Sequence, residues 1–136
     1  MGRKTIKLVA TFPVEPAALY KAWLSGPMHG AMTGSGRATG SSRVGGRFSA
    51  GEGYITGKNL ALEPGERAAR SVQSWRTTDF SDEAGDSRLE LRLDKVRGGT
   101  RLTLLHSELP EGTADEYRSG WELYYFEPMR AFFAGR

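Results

Sequence analysis

The sequence predicts an α+β fold: one curved antiparallel sheet of six or seven strands with a long C-terminal helix laid on it. Three observations predict it. Leu89, Leu91 and Leu93 alternate with Arg88, Glu90, Arg92 and Asp94, and Leu102, Leu104 and His106 share one face of the return, the period-two pattern of a half-buried hairpin. Near the C-terminus Tyr117, Trp121, Tyr124, Tyr125, Pro128 and Phe132 recur at helical spacing, which draws one apolar face along a helix. Glycine contributes 18 of 136 residues, and ten of them lie between Gly26 and Gly57. That share is well above the usual ~7%.

Residues 3–12 alternate, with Ile6, Leu8 and Ala10 on one side, and give a first strand ending at Phe12-Pro13. Glu15-Pro16 opens a helix, with proline in the first turn where its missing N–H costs nothing. Leu19 and Trp23 face the core, and Ser25-Gly26-Pro27 ends it. Residues 27–33 predict a second short helix. From 34 to 57 the glycines and serines are punctuated by Val44, Phe48, Tyr54 and Ile55, which a pure linker would lack. Two or three short, tightly turned strands are expected, with turns at Gly45-Gly46 and Gly51-Glu52-Gly53. The stretch from Gly34 to Gly46 is expected to be mobile enough to gate a cavity. Strands follow over 54–62 and 68–78, then the acidic loop 79–86 and the hairpin turning at Gly98-Gly99. Thr113 and Glu116 read as a capping box, opening a helix that runs to about Phe133 and kinks at Pro128, where the carbonyl of Tyr124 loses its donor.

Composition narrows the functions. The length suits one domain spanning 1–136. The chain has no Cys and two His, so disulfides, thiolate catalysis and a Cys-ligated metal are excluded, and no metal site or cofactor is expected. The N-terminal apolar run is short and broken by Lys, and no stretch approaches the ~20 apolar residues of a membrane span. The reading is a cytoplasmic protein without membrane insertion. Residues 1–50 carry seven basic side chains and one acid, Glu15, which reads as a solvated basic face. Gly34-Ser-Gly36-Arg-Ala-Thr39 breaks the dinucleotide fingerprint, and Gly57-Lys58-Asn59 lacks the P-loop's upstream glycine and hydroxyl. Residues 34–43 hold no aromatic to stack on bases, so no nucleic-acid partner is expected. No nucleophile elbow is present, and no catalytic residue is assigned.

The ordered series Val44-Gly45-Gly46-Arg47-Phe48, Gly53-Tyr54-Ile55-Thr56-Gly57, Leu62-Glu63-Pro64, Ser74-Trp75, Gly98 to Leu104, His106 and Gly120-Trp121 resembles the START/Bet v 1-like superfamily. It is similar in particular to the branch that includes the C-terminal domain of the activator of Hsp90 ATPase. The resemblance covers nearly the whole chain in order. It implies a helix-grip fold enclosing an apolar cavity, with relatives that bind lipids, hormones or polyketides, act as cyclases, or serve as co-chaperones. The eukaryotic activator has a separate N-terminal chaperone-binding domain, which this sequence is read as lacking. A fold shared by so many functions leaves function to the site.

The cavity candidates follow from the inward faces. Trp23, Met28 and Met32 come from the first helices, Phe48, Tyr54 and Trp75 from the strands of the first half. Leu91, Leu93, Leu102, Leu104 and His106 come from the hairpin, and Tyr117, Trp121, Tyr124, Tyr125 and Met129 from the last helix. Singly, each reads as core; together their aromatic and methionine weighting suits an adaptable apolar pocket. His106 reads as a hydrogen-bonded core histidine, and Glu52 and Arg76 as polar groups for a pocket mouth or for the surface. The expected partner is an apolar or amphipathic small molecule. A chaperone partner, a homodimer and a cyclase- or hydrolase-type use of the cavity remain open.

Overall fold

The computed structural model describes residues 5–135. Strand β1 (Ile6–Phe12) is followed by α1 (Pro16–Leu24) and α2 (Gly26–Thr33), then by β2 (Arg47–Ala50), β3 (Ile55–Glu63), β4 (Ala68–Thr77), β5 (Ser87–Val96) and β6 (Gly99–Ser107). A C-terminal helix closes the chain as α3 (Ala114–Trp121), a π-helical stretch (Glu122–Phe126) and α4 (Glu127–Ala134). The first strand was expected to begin at residue 3; positions 3 and 4 lie outside the described residues. The six strands form one antiparallel sheet in the order β1-β6-β5-β4-β3-β2. The two helices after β1 therefore carry the chain from one edge of the sheet to the other.

Register sorts the two faces. Ile6 pairs with His106, Leu8 with Leu104 and Ala10 with Leu102. Leu89, Leu91 and Leu93 pair with the same three residues from the other side. This inner face is the core. The outer face carries Arg70, bonded to Glu63 and Glu90, and Arg92, also on Glu90, at 2.8 Å each. Burial works against the charge on Glu90, but the hydrogen bonds from Arg70 and Arg92 outweigh it and hold its carboxyl below the usual range.

Ser25 ends α1 and starts α2: its Oγ accepts from the N–H of Met28 at 3.3 Å, one of the orphan donors of a first helical turn. The segment expected to hold two or three short strands forms one, β2, with a single bridge between Thr39 and Ser49. The remainder is stitched to a neighbour instead. Asn59, fully buried beside a bulge in β3, donates from Nδ2 to the carbonyls of Ser41 and Arg43, and its own backbone bonds Gly45 and Gly46. The stretch expected to be a mobile gate is thus tied down along its second half.

The last helix departs most from expectation. Thr113 occupies the N-cap position as expected, but its side chain makes no capping bond; its hydroxyl donates to the carbonyl of Pro110 at 2.6 Å instead. Pro128 does not produce a simple kink. Ahead of it the helix widens, with the N–H of Glu127 reaching back five residues to the carbonyl of Glu122. A wider turn takes an additional residue, so the buried face advances by one position. Instead of Tyr124, Pro128 and Phe132, the residues turned inward after Trp121 are Tyr125, Phe126, Met129 and Phe133. Phe126 and Phe133 meet Phe12 of β1 edge-on at 6.0 and 6.3 Å, in the preferred aromatic geometry.

Gly57 is among the glycines fixed by contact. Gly57 lies opposite Phe48 in the β2–β3 register, and a Cβ there would run into the carbonyl oxygen of Ser74 and the Phe48 ring. Gly57→Ala is expected to destabilise the fold by about 1–3 kcal/mol, the usual cost of overpacking, read as a lower urea midpoint at unchanged slope.

Candidate functional site

A cavity of about 450 Å³ opens between the sheet and the beginning of the last helix. Its walls are Trp75 of β4, Ile55 of β3, and Tyr117, Gly120, Trp121, Tyr124 and Tyr125 of the helix, with Ser35, Gly51, Tyr54 and Glu116 around them. Its size falls in the ~300–1,000 Å³ range of small-molecule sites. Gly51, Glu52 and Gly53 all take positive φ, at 60°, 57° and 96°. This left-handed turn, natural for the glycines, brings Tyr54 to the cavity. Tyr124 is 70% exposed and Tyr54 40%, so these two form the outer part and Trp75 and Trp121 the buried floor.

The floor is held by polar wiring. The indole Nε1–H of Trp121 donates to His106 Nδ1 at 3.0 Å. A nitrogen that accepts carries no proton, so the His106 proton sits on Nε2 and donates to Ser87 Oγ at 2.8 Å. Ser87 in turn donates to the carbonyl of Trp75 at 2.7 Å. His106 has no exposed surface, and burial alone pushes its pKa down to about 3. It stands edge-on to Trp75 at 4.5 Å.

The second histidine mirrors this arrangement with the other tautomer. His29 Nδ1–H donates to the carbonyl of Trp23 at 2.8 Å, and Nε2 accepts from the Tyr125 hydroxyl at 2.7 Å. Burial lowers its pKa, outweighing the opposing effect of that carbonyl, and burial raises that of the Tyr125 phenol. Both histidines are neutral and have both ring nitrogens committed. Neither lines the cavity, so the geometry gives them structural rather than proton-transfer roles.

Of the residues expected from sequence, the structure brings Tyr54, Trp75, Tyr117, Trp121, Tyr124 and Tyr125 together at the cavity. Leu91, Leu93, Leu102, Leu104, Met32 and Met129 are fully buried in the core and do not reach it. The shifted helix face turns Phe126 and Met129 into the core, where Phe126 packs on Phe12 of β1, and the cavity lies toward β3 and β4. Trp23 stacks on Trp121 at 6.3 Å and donates to Gln73 Oε1 at 3.1 Å. Met28 and Phe48 are half-buried against the core. Arg76 does not face the mouth; it binds Asp86 at 2.9 Å and the carbonyls of Ala84 and Ser81, closing the acidic loop. Glu52 is not among the lining residues either.

Ile55, Ser35, Gly51, Glu116 and Gly120 were not anticipated as lining residues. An isolated glycine in a helical pattern was the available signal for Gly120. Glu116 was taken for a capping-box partner. In the structure it lies exposed at the cavity and makes no hydrogen bond or ion pair among the described residues.

Comparison with known proteins fits this geometry. The sequence profile of the family described as "Activator of Hsp90 ATPase homolog 1-like protein" matches residues 13–134. The chain belongs to this family. The mouse activator of 90 kDa heat shock protein ATPase homolog 1 is 28% identical over 130 residues, 94% of this chain and 36% of that protein. The chain thus spans little more than a third of the curated relatives it matches. An HSP90 activator from Plasmodium falciparum superposes with a TM-score of 0.83 at 19% identity, covering 96% of each chain. The Aha1 dimer from Colwellia psychrerythraea gives 0.73 at 14% identity, covering 98% of each. At these identities the likeness shows the shared fold, the START/Bet v 1-like one expected from sequence.

The neutral histidines make this family member acid-sensitive. The His106 folded pKa lies below the ordinary 6.5, so the unfolded chain takes up a proton that the folded one refuses. Its contribution is complete above pH 6.5 and is lost as pH falls toward 3, by about 1.4 kcal/mol per pH unit. Urea midpoints taken from pH 7 to pH 4 should decline, and less steeply in His106→Asn. Ser87→Ala, which strands the buried Nε2–H, should cost about 1–3 kcal/mol at pH 7.

Proposed function

We propose that this protein binds an apolar or amphipathic small molecule, without a cofactor, in the cavity between β3, β4 and the C-terminal helix. The observation that carries the reading is the cavity itself: about 450 Å³ of space with six aromatic side chains on its wall. A compact domain normally fills its interior to crystal-like density. Here the floor is instead fixed by hydrogen bonds that use up every polar atom on Trp121, His106 and Ser87. A preordered wall lowers the ordering cost of binding. The reading places the protein in the cytoplasm.

Gly120 provides the test. It lines the cavity, and a Cβ there would meet only Tyr124 Cδ2, at an ordinary 3.8 Å. Gly120→Leu is expected to fill the cavity and abolish thermal shifts from an aromatic and lipid library, while leaving the melting temperature unchanged or higher, since leucine is the better helix former by about 0.8 kcal/mol. A ligand that shifts the parent and the variant equally would place binding elsewhere.

A second reading, a co-chaperone-like interaction module, is favoured by family membership and by the Hsp90 activators among its relatives. It expects the chain to be retained by immobilised Hsp90 and Gly120→Leu to be retained equally, because that side chain points into the cavity rather than at a partner. Failure of the parent chain to bind Hsp90 would remove this reading.

A further inference from the structure

The charges around the cavity say what kind of ligand it takes. Apart from the tyrosines, its one ionisable lining residue among the described residues is an acid, Glu116, although the whole sequence is net positive at +3. Among the described residues no lysine, arginine or histidine lines it. A second acid stands behind the wall: Asp79 Oδ2 accepts the Tyr54 hydroxyl at 2.7 Å. Tyr117, on the opposite wall, is bonded through its hydroxyl to Thr77 at 2.9 Å, and Thr77 Oγ1 also accepts the N–H of Asp79. The two acids therefore flank the same pair of tyrosines. Burial raises the Tyr117 phenol pKa above its ordinary value, and the charges of Glu116 and Asp79 push the same way. Burial and Asp79 likewise raise that of Tyr54, so both rings remain neutral phenols.

The geometry points to an organic cation as the ligand: an apolar body seated on Trp75 and Trp121, with an ammonium group held among Tyr54, Tyr117 and Tyr124 beside Glu116 and Asp79. This rests on the small-molecule reading above and gives it a ligand class. Aromatic faces carry negative potential and attract ammonium groups within about 6 Å of the ring centre, the more so when partly desolvated. Two carboxylates add a long-range attraction of the same sign. A fatty acid or other anion would meet those carboxylates with no counter-charge on the wall.

Three probes on one tether separate the outcomes: 4-phenylbutyl-trimethylammonium, its carbon isostere with tert-butyl in place of trimethylammonium, and 5-phenylpentanoate. Binding is followed by tryptophan fluorescence and calorimetry at low salt. The ammonium is expected to bind at least about tenfold more tightly than the isostere, with the carboxylate weakest and the advantage shrinking as salt is raised. In Glu116→Gln, and further in Glu116→Gln with Asp79→Asn, the advantage should fall to within about threefold. Both positions are exposed, and Glu116→Gln alone decides if the double variant fails to fold. Equal binding of ammonium and isostere, or a preference for the carboxylate, overturns the cation inference and leaves the small-molecule reading standing. A cation preference untouched by the variants overturns the assignment to Glu116 and Asp79. No binding by any probe overturns both.

Discussion

The hydrogen bond from Trp121 to His106 holds the site together. It joins the C-terminal helix to β6 of the sheet at a point with no solvent, where an unmade bond costs most. Because the indole can only donate, it fixes the histidine tautomer. The tautomer directs the Nε2–H to Ser87 Oγ, and the Ser87 hydroxyl in turn donates a hydrogen bond to the backbone carbonyl of Trp75. Four residues from β4, β5, β6 and the helix are thereby set in one arrangement. Trp75 and Trp121, the floor of the cavity, stand 5.6 Å apart, tilted at 39°. Their separation is maintained by this chain of bonds and not by ring contact alone.

A second chain performs the same task on the other side. Trp23 donates to Gln73, Gln73 to Asn59, and Asn59 to the carbonyls of Ser41 and Arg43. It runs from α1 through β4 and β3 to the glycine-rich segment. The glycines let that segment turn closely; Asn59 keeps it in place. No buried side-chain nitrogen or oxygen among the described residues lacks a partner. The interior is therefore polar in its connections while apolar in its bulk, which is how a domain keeps an aromatic-lined space without collapsing onto it.

The hairpin of β5 and β6 was fully legible, because a period-two pattern has one solution once one face is buried. So were the first strand, the helix opened by Pro16 and the turn at Gly51-Glu52-Gly53. Trp75, Tyr117 and Trp121 were also readable as inward-facing, being large, aromatic and on apolar faces. The leucines and Met129 had equal claims by pattern and turned out to be packing. The difference lies in one helical turn. A sequence shows that Pro128 withdraws a donor, but not whether the helix bends or widens in response. With the widening, Tyr124 faces outward at the mouth and Phe126 and Met129 face the core.

The sequence by itself determined the class of fold, the order of the elements and the family. These follow from local periodicity and from ordered short motifs, both properties of neighbours along the chain. Only the tertiary structure decided where the void lies, which tyrosines surround it, and that Glu116 stands beside them without a partner among the described residues. Each of those depends on residues far apart in sequence meeting across the interior: Trp121 with His106, Tyr54 with Asp79, Tyr125 with His29. The histidines show the division plainly. Their number was enough to exclude a histidine-rich metal site, but their neutral state and opposite tautomers come from partners 6 to 96 positions away.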